Sequence, residues 1–193
     1  MGEPGGARRR LPRILGGDFK GLPLAVPRPI RATEAKVRQA LFNILGDWVE
    51  GTRVLDGFAG SGALGFEALS RGASFVAFVE SDTEAVLSIR QTLGRLEPEL
   101  PRRAWRLVHL TMEQGVPQLA KVEPPFDLIL LDPPYHSDEG KKALNTVVEC
   151  AILARAGIVV MEHDRRTAPP PSVGSLQQRT QHRYGDTVLS FYQ

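Results

Sequence analysis

Apolar residues recur along this chain with two alternating periods. From Thr33 they fall on one helical stripe, because Val37, Leu41, Ile44 and Trp48 are three or four positions apart. After this stripe, short apolar runs alternate with further helical stripes, which predicts a parallel β-sheet with helices on both faces. The predicted strands read RVLDGFA, SFVAFVES, AWRLVHL, FDLILLD and GIVVMEHD, and the helices between them include SGALGFEALSRG, DTEAVLSIRQTLGRL, TMEQGVPQLAKV and EGKKALNTVVECAIL.

The two ends of the chain break this alternation. Residues 13–32 hold short apolar pieces separated by glycines, which predicts a β-hairpin and a connector, whereas residues 1–12 are predicted to be a disordered basic tail. At the C-terminus two strand-like runs meet at Gly185 with no helix between them, so the last strand should run antiparallel. We therefore predict an α/β fold, a doubly wound Rossmann-like sheet of seven strands, over residues 33–193.

Composition narrows the class of protein. A chain of 193 residues with 42% hydrophobic and 24% charged residues is typical of one globular domain. Its apolar runs are shorter than the roughly 20 residues that span a membrane, and its basic start lacks the apolar core of a secretory signal. Cys150 is the single cysteine, which excludes an intrachain disulfide and a cysteine-rich metal site and favours a cytoplasmic location.

Charge is unevenly distributed, although the net charge is only +2. Residues 1–40 hold nine basic and three acidic residues, a net charge of +6, whereas residues 41–193 carry −4. A basic N-terminal face on a mildly acidic body favours a polyanionic partner such as RNA, although a solubilising tail is an equal interpretation for the first arginines. The predicted RNA-binding residues are Arg9, Arg10, Arg13, Lys20, Arg31 and Arg38.

A glycine turn follows the first predicted strand. The stretch VLDGFAGSGALG places Gly60, Gly62 and Gly65 between a strand and a helix, where glycine lets the backbone turn tightly beside a ligand. Glu80 ends the next strand, and an acid there can accept hydrogen bonds from both hydroxyls of a ribose. The same description fits a dinucleotide-binding fold, so hydride transfer with a nicotinamide cofactor stays open on this motif alone.

Asp56 moves the interpretation towards S-adenosylmethionine. This acid ends the first strand, where it would face the cationic amino acid group of a ligand and would repel a pyrophosphate. The pattern Asp-x-Phe-x-Gly-x-Gly is typical of loops for S-adenosylmethionine, which carries an ammonium and a sulfonium but no phosphate. The loop after the third strand should cover the adenine. The predicted cofactor-binding residues are Asp56, Phe58, Ala59, Gly60, Ser61, Gly62, Glu80, Ser81, Thr111 and Met112.

A second candidate site follows the fourth strand, where the apolar run ends in Asp132, Pro133, Pro134 and Tyr135. In a doubly wound sheet the fourth strand lies beside the first, at the point where strand order reverses, and ligands bind at the carboxyl ends of the strands there. The tetrapeptide should therefore lie beside the Gly60 loop. The two proline rings should hold it in a rigid, extended turn.

These four residues, Asp132, Pro133, Pro134 and Tyr135, are the predicted catalytic residues, and they suit a nucleobase with an exocyclic amine. The Asp132 carboxylate and a proline carbonyl can accept hydrogen bonds from one NH₂ group, which favours the pyramidal nitrogen of the transition state. Tyr135 offers a flat face for stacking, so phenylalanine should be tolerated there and alanine should not. Alignment supplies much of the remaining rate, and Asp132 can relay the released proton to water without a metal.

Residues 13–193 resemble the 16S rRNA guanine-N2 methyltransferases of RsmD type, which methylate the guanine at standard rRNA position 966. The resemblance runs through RILGGDFKGLPL, RATEAKVRQALFNIL, VLDGFAGSGALGFEALSRGA, FVESD, DLILLDPPY and YGDTVLSFYQ. It implies a methyltransferase domain with S-adenosylmethionine as donor, and a guanine N2 of 16S rRNA or of the small ribosomal subunit as acceptor. It also implies that Asp132 to Tyr135 hold the target amine and that Asp56, Phe58, Gly60, Gly62 and Glu80 hold the cofactor.

Three other functions stay open at this stage. An adenine-N6 methyltransferase on DNA or RNA could use the same tetrapeptide, although no separate target-recognition domain is visible. A non-catalytic RNA-binding or assembly protein could keep the fold, but intact Asp56, Glu80 and Asp132 argue against lost activity. A nicotinamide oxidoreductase is disfavoured by Asp56 and by the tetrapeptide. The default oligomeric state is a monomer.

Overall fold

The computed structural model describes residues 11–26, 32–135 and 137–193, with the backbone alone at residues 32–34. It confirms the predicted alternation of strands and helices. No helix within these residues is long and apolar enough to cross a membrane. The helices are α1 (Ala32–Leu45), a 3₁₀ turn (Gly46–Val49), α2 (Ala63–Ser70), α3 (Thr83–Leu96), α4 (Met112–Val122) and α5 (Glu139–Glu149); the strands are β1 (Arg53–Gly57), β2 (Phe75–Glu80), β3 (Trp105–His109), β4 (Phe126–Leu131), β5 (Leu153–Asp164), β6 (Ser172–Val173), β7 (Leu176–Tyr184) and β8 (Thr187–Tyr192).

The strands of the described residues form one eight-stranded sheet in the order β3-β2-β1-β4-β5-β8-β7-β6. Strands β1 to β5 are mutually parallel, and β8 lies antiparallel between β5 and β7. The predicted antiparallel last strand is therefore confirmed. The additional strand is β6, a two-residue piece in which Val173 pairs with Leu176 at the start of β7.

The strand order reverses at β1, which lies between β2 and β4. In the parallel register Gly57 is opposite Val79 on one side and Leu131 on the other. The chain therefore leaves β1 and β4 at the same level of the sheet edge. This confirms the prediction that the Asp132 turn lies beside the glycine loop, because the residues that follow paired strand ends are neighbours.

Helices cover both faces of the sheet. The core on one face includes Phe42 of α1, Phe66 of α2 and Ile89 of α3, all fully buried. The core on the other face includes Val116 of α4 and Leu144 of α5. Both faces are therefore closed, as the near-continuous apolar composition of the central strands requires.

Asp56 ties the glycine loop to α2 from inside the protein. Its side chain is 1% exposed, and Oδ2 accepts a hydrogen bond of 2.8 Å from the backbone N–H of Gly65. Burial raises the pKa of Asp56 to about 8, against the opposing effect of the Gly65 hydrogen bond and with a further upward contribution from Glu80. This position differs from the predicted contact with a ligand, because the strand pleat turns Asp56 to the same face as Val54, towards the core beneath α2.

Residues 11–26 cross the C-terminal ends of α2 and α3. This segment folds back on itself as a short antiparallel hairpin: one bridge joins Arg13 and Pro23, and the backbone N–H groups of Ile14 and Leu24 donate to the carbonyls of Leu22 and Pro12. Gly17 has a φ of +73°, and a Cβ there would lie 1.7 Å from the carbonyl oxygen of Ser70. The next residue, Asp18, donates its backbone N–H to that same oxygen at 2.8 Å. Glycine is therefore required where this loop touches the end of α2.

A buried carboxylate anchors the loop. Glu67 of α2 is 0% exposed and accepts hydrogen bonds of 2.8 Å from the backbone N–H of Leu15 and 2.9 Å from Nε of Arg71. Arg38 of α1 lies 3.7 Å from the same carboxylate and donates a 2.8 Å hydrogen bond to the carbonyl of Arg13. The predicted RNA contact of Arg38 is corrected here, because this side chain is 4% exposed and joins α1, α2 and the loop.

Replacing Glu67 with alanine should destabilise the protein strongly. Removal of one partner from a buried ion pair leaves uncompensated charge and costs about 3–5 kcal/mol. Urea unfolding measures the loss, and Glu67→Gln should lose less because it keeps an acceptor for Leu15. Glu84→Ala on an exposed turn of α3 is the matched control. Equal unfolding free energies for the Glu67→Ala variant and the wild type would contradict an anchoring role.

Replacing Asp56 with asparagine should flatten the pH dependence of stability. Between its ordinary pKa of 3.8 and about 8, the folded protein holds a proton that the unfolded chain has released, so wild-type stability falls as pH rises through this window. Asparagine keeps an acceptor for Gly65 and does not titrate. Unfolding at about pH 5 and pH 8 should show a smaller loss in Asp56→Asn, by on the order of a few kcal/mol. Equal losses of unfolding free energy between these two pH values in the wild type and in Asp56→Asn would contradict the raised pKa of Asp56.

Candidate functional site

A cavity of about 1160 Å³ opens at the carboxyl ends of the parallel strands. Its wall contains residues that follow or end β1, β2, β3, β4 and β5, together with the turn between β7 and β8. This is the edge at which open α/β sheets bind ligands. The volume exceeds that of most single-ligand pockets, so the cavity has room for two partners side by side.

One part of the cavity wall comes from the predicted cofactor-binding residues. Phe58, Glu80, Ser81, Thr111 and Met112 all line it. Phe58 has a φ of +60°, a conformation that is strained for a residue with a side chain and is concentrated at functional sites. The structure thus brings together residues from the ends of three strands that are up to 54 positions apart in sequence.

Glu80 organises the turn that surrounds it. One carboxylate oxygen accepts a 2.6 Å hydrogen bond from the backbone N–H of Gly60, and the other accepts 2.8 Å bonds from Ser81 and Asp82. The oxygen that accepts from Gly60 has a second lone pair, so it keeps acceptor capacity for a ligand. The side chain therefore fixes the loop and can contact a bound molecule at the same time.

The glycine loop has an open side and a closed side. A Cβ built on Gly60 would meet only the carbonyl oxygen of Phe58, at 3.9 Å, whereas one on Gly62 would lie 2.6 Å from the ring of Phe66. Ala59 and Ser61 are buried within the turn and lie behind the cavity wall. Of the loop residues predicted from sequence, Phe58 and Gly60 thus have the most direct access to a ligand.

Another part of the wall consists of Asp132, Pro133, Pro134 and Tyr135. Pro133 is buried, while Asp132 and Pro134 are exposed and the Tyr135 side chain is 40% exposed. The Pro134 carbonyl accepts a 2.8 Å hydrogen bond from the hydroxyl of Ser137, which braces the turn from the following loop. The tetrapeptide therefore combines a rigid base with an accessible carboxylate and aromatic ring.

Tyr135 is held by residues that the sequence analysis did not identify. Its hydroxyl donates a 2.9 Å hydrogen bond to Glu162 at the end of β5 and lies 3.5 Å from the hydroxyl of Thr187 at the start of β8. Burial raises the pKa of Tyr135, so the phenol stays protonated. The usable sequence signals were the acid near the end of GIVVMEHD and the hairpin turn YGDT, but neither identifies Tyr135 as a partner.

Negative charge dominates the cavity wall. Within the described residues seven carboxylates and one guanidinium, that of Arg166, line it. Such a wall attracts cationic ligands and amine donors and repels phosphates. The seven are Glu80, Glu113, Asp132, Glu139, Glu162, Asp164 and Asp186.

None of the predicted RNA-binding residues that the structure describes lines this cavity. Arg9, Arg10 and Arg31 are outside the described residues. Arg13 and Lys20 belong to the loop that crosses the C-terminal ends of α2 and α3, which is the opposite edge of the sheet. Their predicted contact with RNA stays a prediction, but it concerns a surface remote from the candidate active site.

Comparison with known proteins agrees with this geometry. A family model described as "Conserved hypothetical protein 95" matches residues 12–193. YlbH of Bacillus subtilis, provisionally named an rRNA methyltransferase, is 36% identical over 93% of this chain and 97% of its own length. The "Ribosomal RNA small subunit methyltransferase D" of Haemophilus influenzae is 31% identical over 87% of this chain and 88% of its own.

Solved structures show the same architecture. The Escherichia coli protein yhhF, provisionally named a methyltransferase, superimposes with a TM-score of 0.78 at 28% identity, covering 93% of this chain and 96% of that one. The family model and the curated relatives span nearly the whole chain rather than one motif. The chain therefore belongs to the conserved hypothetical protein 95 family, the RsmD-type family of rRNA methyltransferases.

Proposed function

We propose that this protein transfers a methyl group from S-adenosylmethionine to the exocyclic N2 of a guanine in 16S rRNA. The observation that carries the proposal is the single cavity that unites the Phe58 and Glu80 wall with the Asp132–Tyr135 wall. Methyl transfer needs donor and acceptor in one enclosure, and a register that sets Gly57 opposite Leu131 supports that arrangement. The small-subunit rRNA is inferred from the names of the relatives.

The described residues fit S-adenosylmethionine. The open side of Gly60 leaves room for a ligand beside the loop, and Glu80 keeps acceptor capacity suited to ribose hydroxyls. The acidic wall suits a ligand that carries an ammonium and a sulfonium and no phosphate. Phe58, Glu80, Ser81, Thr111 and Met112 would hold the cofactor, which supplies a methyl group already activated by positive sulfur.

Asp132 and the Pro133 carbonyl would act on the acceptor amine. Both are acceptors, so each can take a hydrogen bond from an NH₂ group whose lone pair is otherwise delocalised into the base. These bonds favour the charge-bearing nitrogen that develops as the nitrogen–carbon bond forms and the carbon–sulfur bond breaks. Asp132 then passes the released proton to solvent, which its exposed position allows.

Tyr135 would position the base. Its ring is 40% exposed at the cavity and its hydroxyl is fixed by Glu162, so the ring plane is held before a base arrives. A preorganised platform costs less conformational entropy on binding than a mobile one. We infer that the enzyme acts as a cytoplasmic monomer on 16S rRNA or on the small subunit.

Methyl transfer to unmodified RNA tests the function directly. Labelled S-adenosylmethionine, in vitro transcribed 16S rRNA and small subunits that lack the modification are combined, and the methylated nucleotide is mapped. We expect N2-methylguanine at one position. N6-methyladenine in the RNA, or in a DNA duplex assayed in parallel, would instead identify the adenine-specific alternative. No methyl transfer to any of these substrates would refute the proposal.

Replacing Asp132 with alanine should abolish most transfer and leave cofactor binding intact. Loss of one preorganised hydrogen-bonding partner for the transition state lowers kcat by roughly 100- to 1000-fold. Affinity for S-adenosylmethionine, measured by calorimetry, should stay within about twofold, because Asp132 belongs to the acceptor half of the wall. A matching loss of cofactor affinity would contradict this division of roles, and Asp132→Asn tests the negative charge alone.

Replacing Tyr135 should separate stacking from hydroxyl anchoring. Tyr135→Ala removes the platform and should reduce kcat/KM by more than 100-fold, since base stacking and positioning are both lost. Sequence alone predicts that Tyr135→Phe is tolerated. The 2.9 Å hydrogen bond to Glu162 instead predicts that kcat/KM falls roughly fivefold, because the loss of one such bond costs about 1 kcal/mol. Glu162→Gln keeps an acceptor for this hydroxyl and should be milder than Glu162→Ala. A Phe variant with wild-type kinetics would show that the hydroxyl bond has no role in positioning.

A further inference from the structure

A second cavity, of about 380 Å³, lies beside the first and shares Pro133, Pro134, Tyr135 and Glu162 with it. Tyr135 and its neighbours therefore form the partition between the two. The second cavity is bounded on one side by Lys141 and the start of α5, and on the other by residues 167–170, the loop that follows β5. The proposed methyl transfer uses the first cavity and leaves the second cavity without a role.

Positive charge is concentrated at the margins of the two cavities, at the same edge of the sheet. Lys141 and Arg183 are exposed, and Arg165 and Arg166 are 46% and 68% exposed. We call Lys141, Arg165, Arg166 and Arg183 the basic rim. Residues 165–193 hold four arginines and one acid, a net charge of +3 in a chain whose net charge is +2.

The basic rim lies on elements that reach the carboxyl edge of the sheet. Lys141 is in the first turn of α5, directly after the Asp132 turn, and Arg183 is next to Tyr184, which lines the first cavity. Arg166 lines the first cavity as well. Its bonds to Asp164 use the Nε and one terminal nitrogen, and a guanidinium has five donors, so it can also contact a phosphate.

We propose that the RNA strand flanking the target base lies across the second cavity, with its phosphates against the basic rim. This inference rests on the proposed rRNA methyltransferase function and adds to it the face on which RNA binds. A base that enters the acidic first cavity over Tyr135 must leave its backbone outside, because seven carboxylates repel phosphate. The adjoining nucleotide then reaches the second cavity, where Tyr135 and the rings of Pro169 and Pro170 offer flat apolar surface.

This assignment differs from the N-terminal face that charge along the sequence favours. Lys20 and Arg13 are in the loop against Ser70, at the opposite edge of the sheet from Asp132. A strand bound there would be separated from the target base by the length of the parallel strands. The basic rim, in contrast, adjoins both cavities, because Arg166 lines the first and Lys141 lines the second.

The test compares charge-matched triple variants by filter binding to in vitro transcribed 16S rRNA over a range of salt concentrations. The rim variant is Lys141→Gln, Arg165→Gln and Arg183→Gln, which leaves the Arg166–Asp164 pair at the first cavity intact. The control variant is Lys121→Gln, Arg102→Gln and Arg155→Gln, three exposed residues at the amino ends of the strands. We expect the rim variant to bind at least tenfold more weakly at about 150 mM salt and to lose roughly two to three units of the salt slope. The control should stay within about twofold in affinity.

Two further measurements exclude trivial causes. S-adenosylmethionine affinity and melting temperature should match the wild type in the rim variant, since a misfolded variant would lose both. Lys141→Arg, Arg165→Lys and Arg183→Lys together should restore most of the salt slope, because the slope follows charge.

The outcomes separate this inference from the proposed function. If the wild type methylates 16S rRNA while the rim variant binds RNA like the control, the basic rim is not the docking face. Greater weakening in an Arg13→Gln, Lys20→Gln variant would place docking on the N-terminal loop and also overturn it. A wild type that binds RNA through the rim but transfers no methyl group would refute the proposed function alone.

Discussion

The parallel pairing of β1 with β4 is the constraint on which the rest of the structure depends. It sets Gly57 opposite Leu131, so the chain leaves both strands at one level of the sheet edge. The strained Phe58 and the Asp132 carboxylate then follow as neighbours on the wall of one cavity. A one-residue slip in this register would turn the side chains of β4 to the opposite face and separate the two halves of the cavity wall.

Electrostatics divide this edge of the protein into an acidic interior and a basic margin. Seven carboxylates line the first cavity, whereas the exposed arginines and lysine of the basic rim lie at its margin, and of these Arg166 alone also lines it. The arrangement suits a reaction between a cationic donor and an amine carried on a polyanion, because each chemical part meets the charge that attracts it. Asp56 lies beneath the glycine loop, inside the core. Burial raises the pKa of Asp56 and favours its neutral form, so it supports the loop without adding a charge to the core.

Support for the site comes from polar groups buried away from it. Glu67 joins the N-terminal loop, α1 and α2 through Leu15, Arg38 and Arg71. These buried polar contacts fix α2, and α2 in turn presents Gly65 to Asp56 at the base of the glycine loop. The bond between Tyr135 and Glu162 has the same character at the acceptor side, since it couples the tetrapeptide to β5.

The sequence by itself determined the fold class and most of the site. Alternating periods predict the β-α order, and known rules for parallel sheets then bring Gly60 and Asp132 to one edge, because both steps depend on local pattern and chain direction. What only the tertiary structure decided is where individual side chains point. Sequence predicts that Asp56 and Arg38 face a ligand. In the structure each is buried and bonded to an element that the local sequence pattern does not identify as its neighbour.

Glu162 is the converse case, a residue of the site that the sequence does not identify. An acid near the end of a strand is common, and its pairing with Tyr135 across 27 positions depends on how β5 packs beside the Asp132 turn. Charge along the chain likewise favoured the N-terminal segment, but the side of the sheet on which a charge lies is set by the docking of Gly17 and Leu15 on α2. Local sequence determines which chemistry is available, and three-dimensional packing decides which of those groups share a surface.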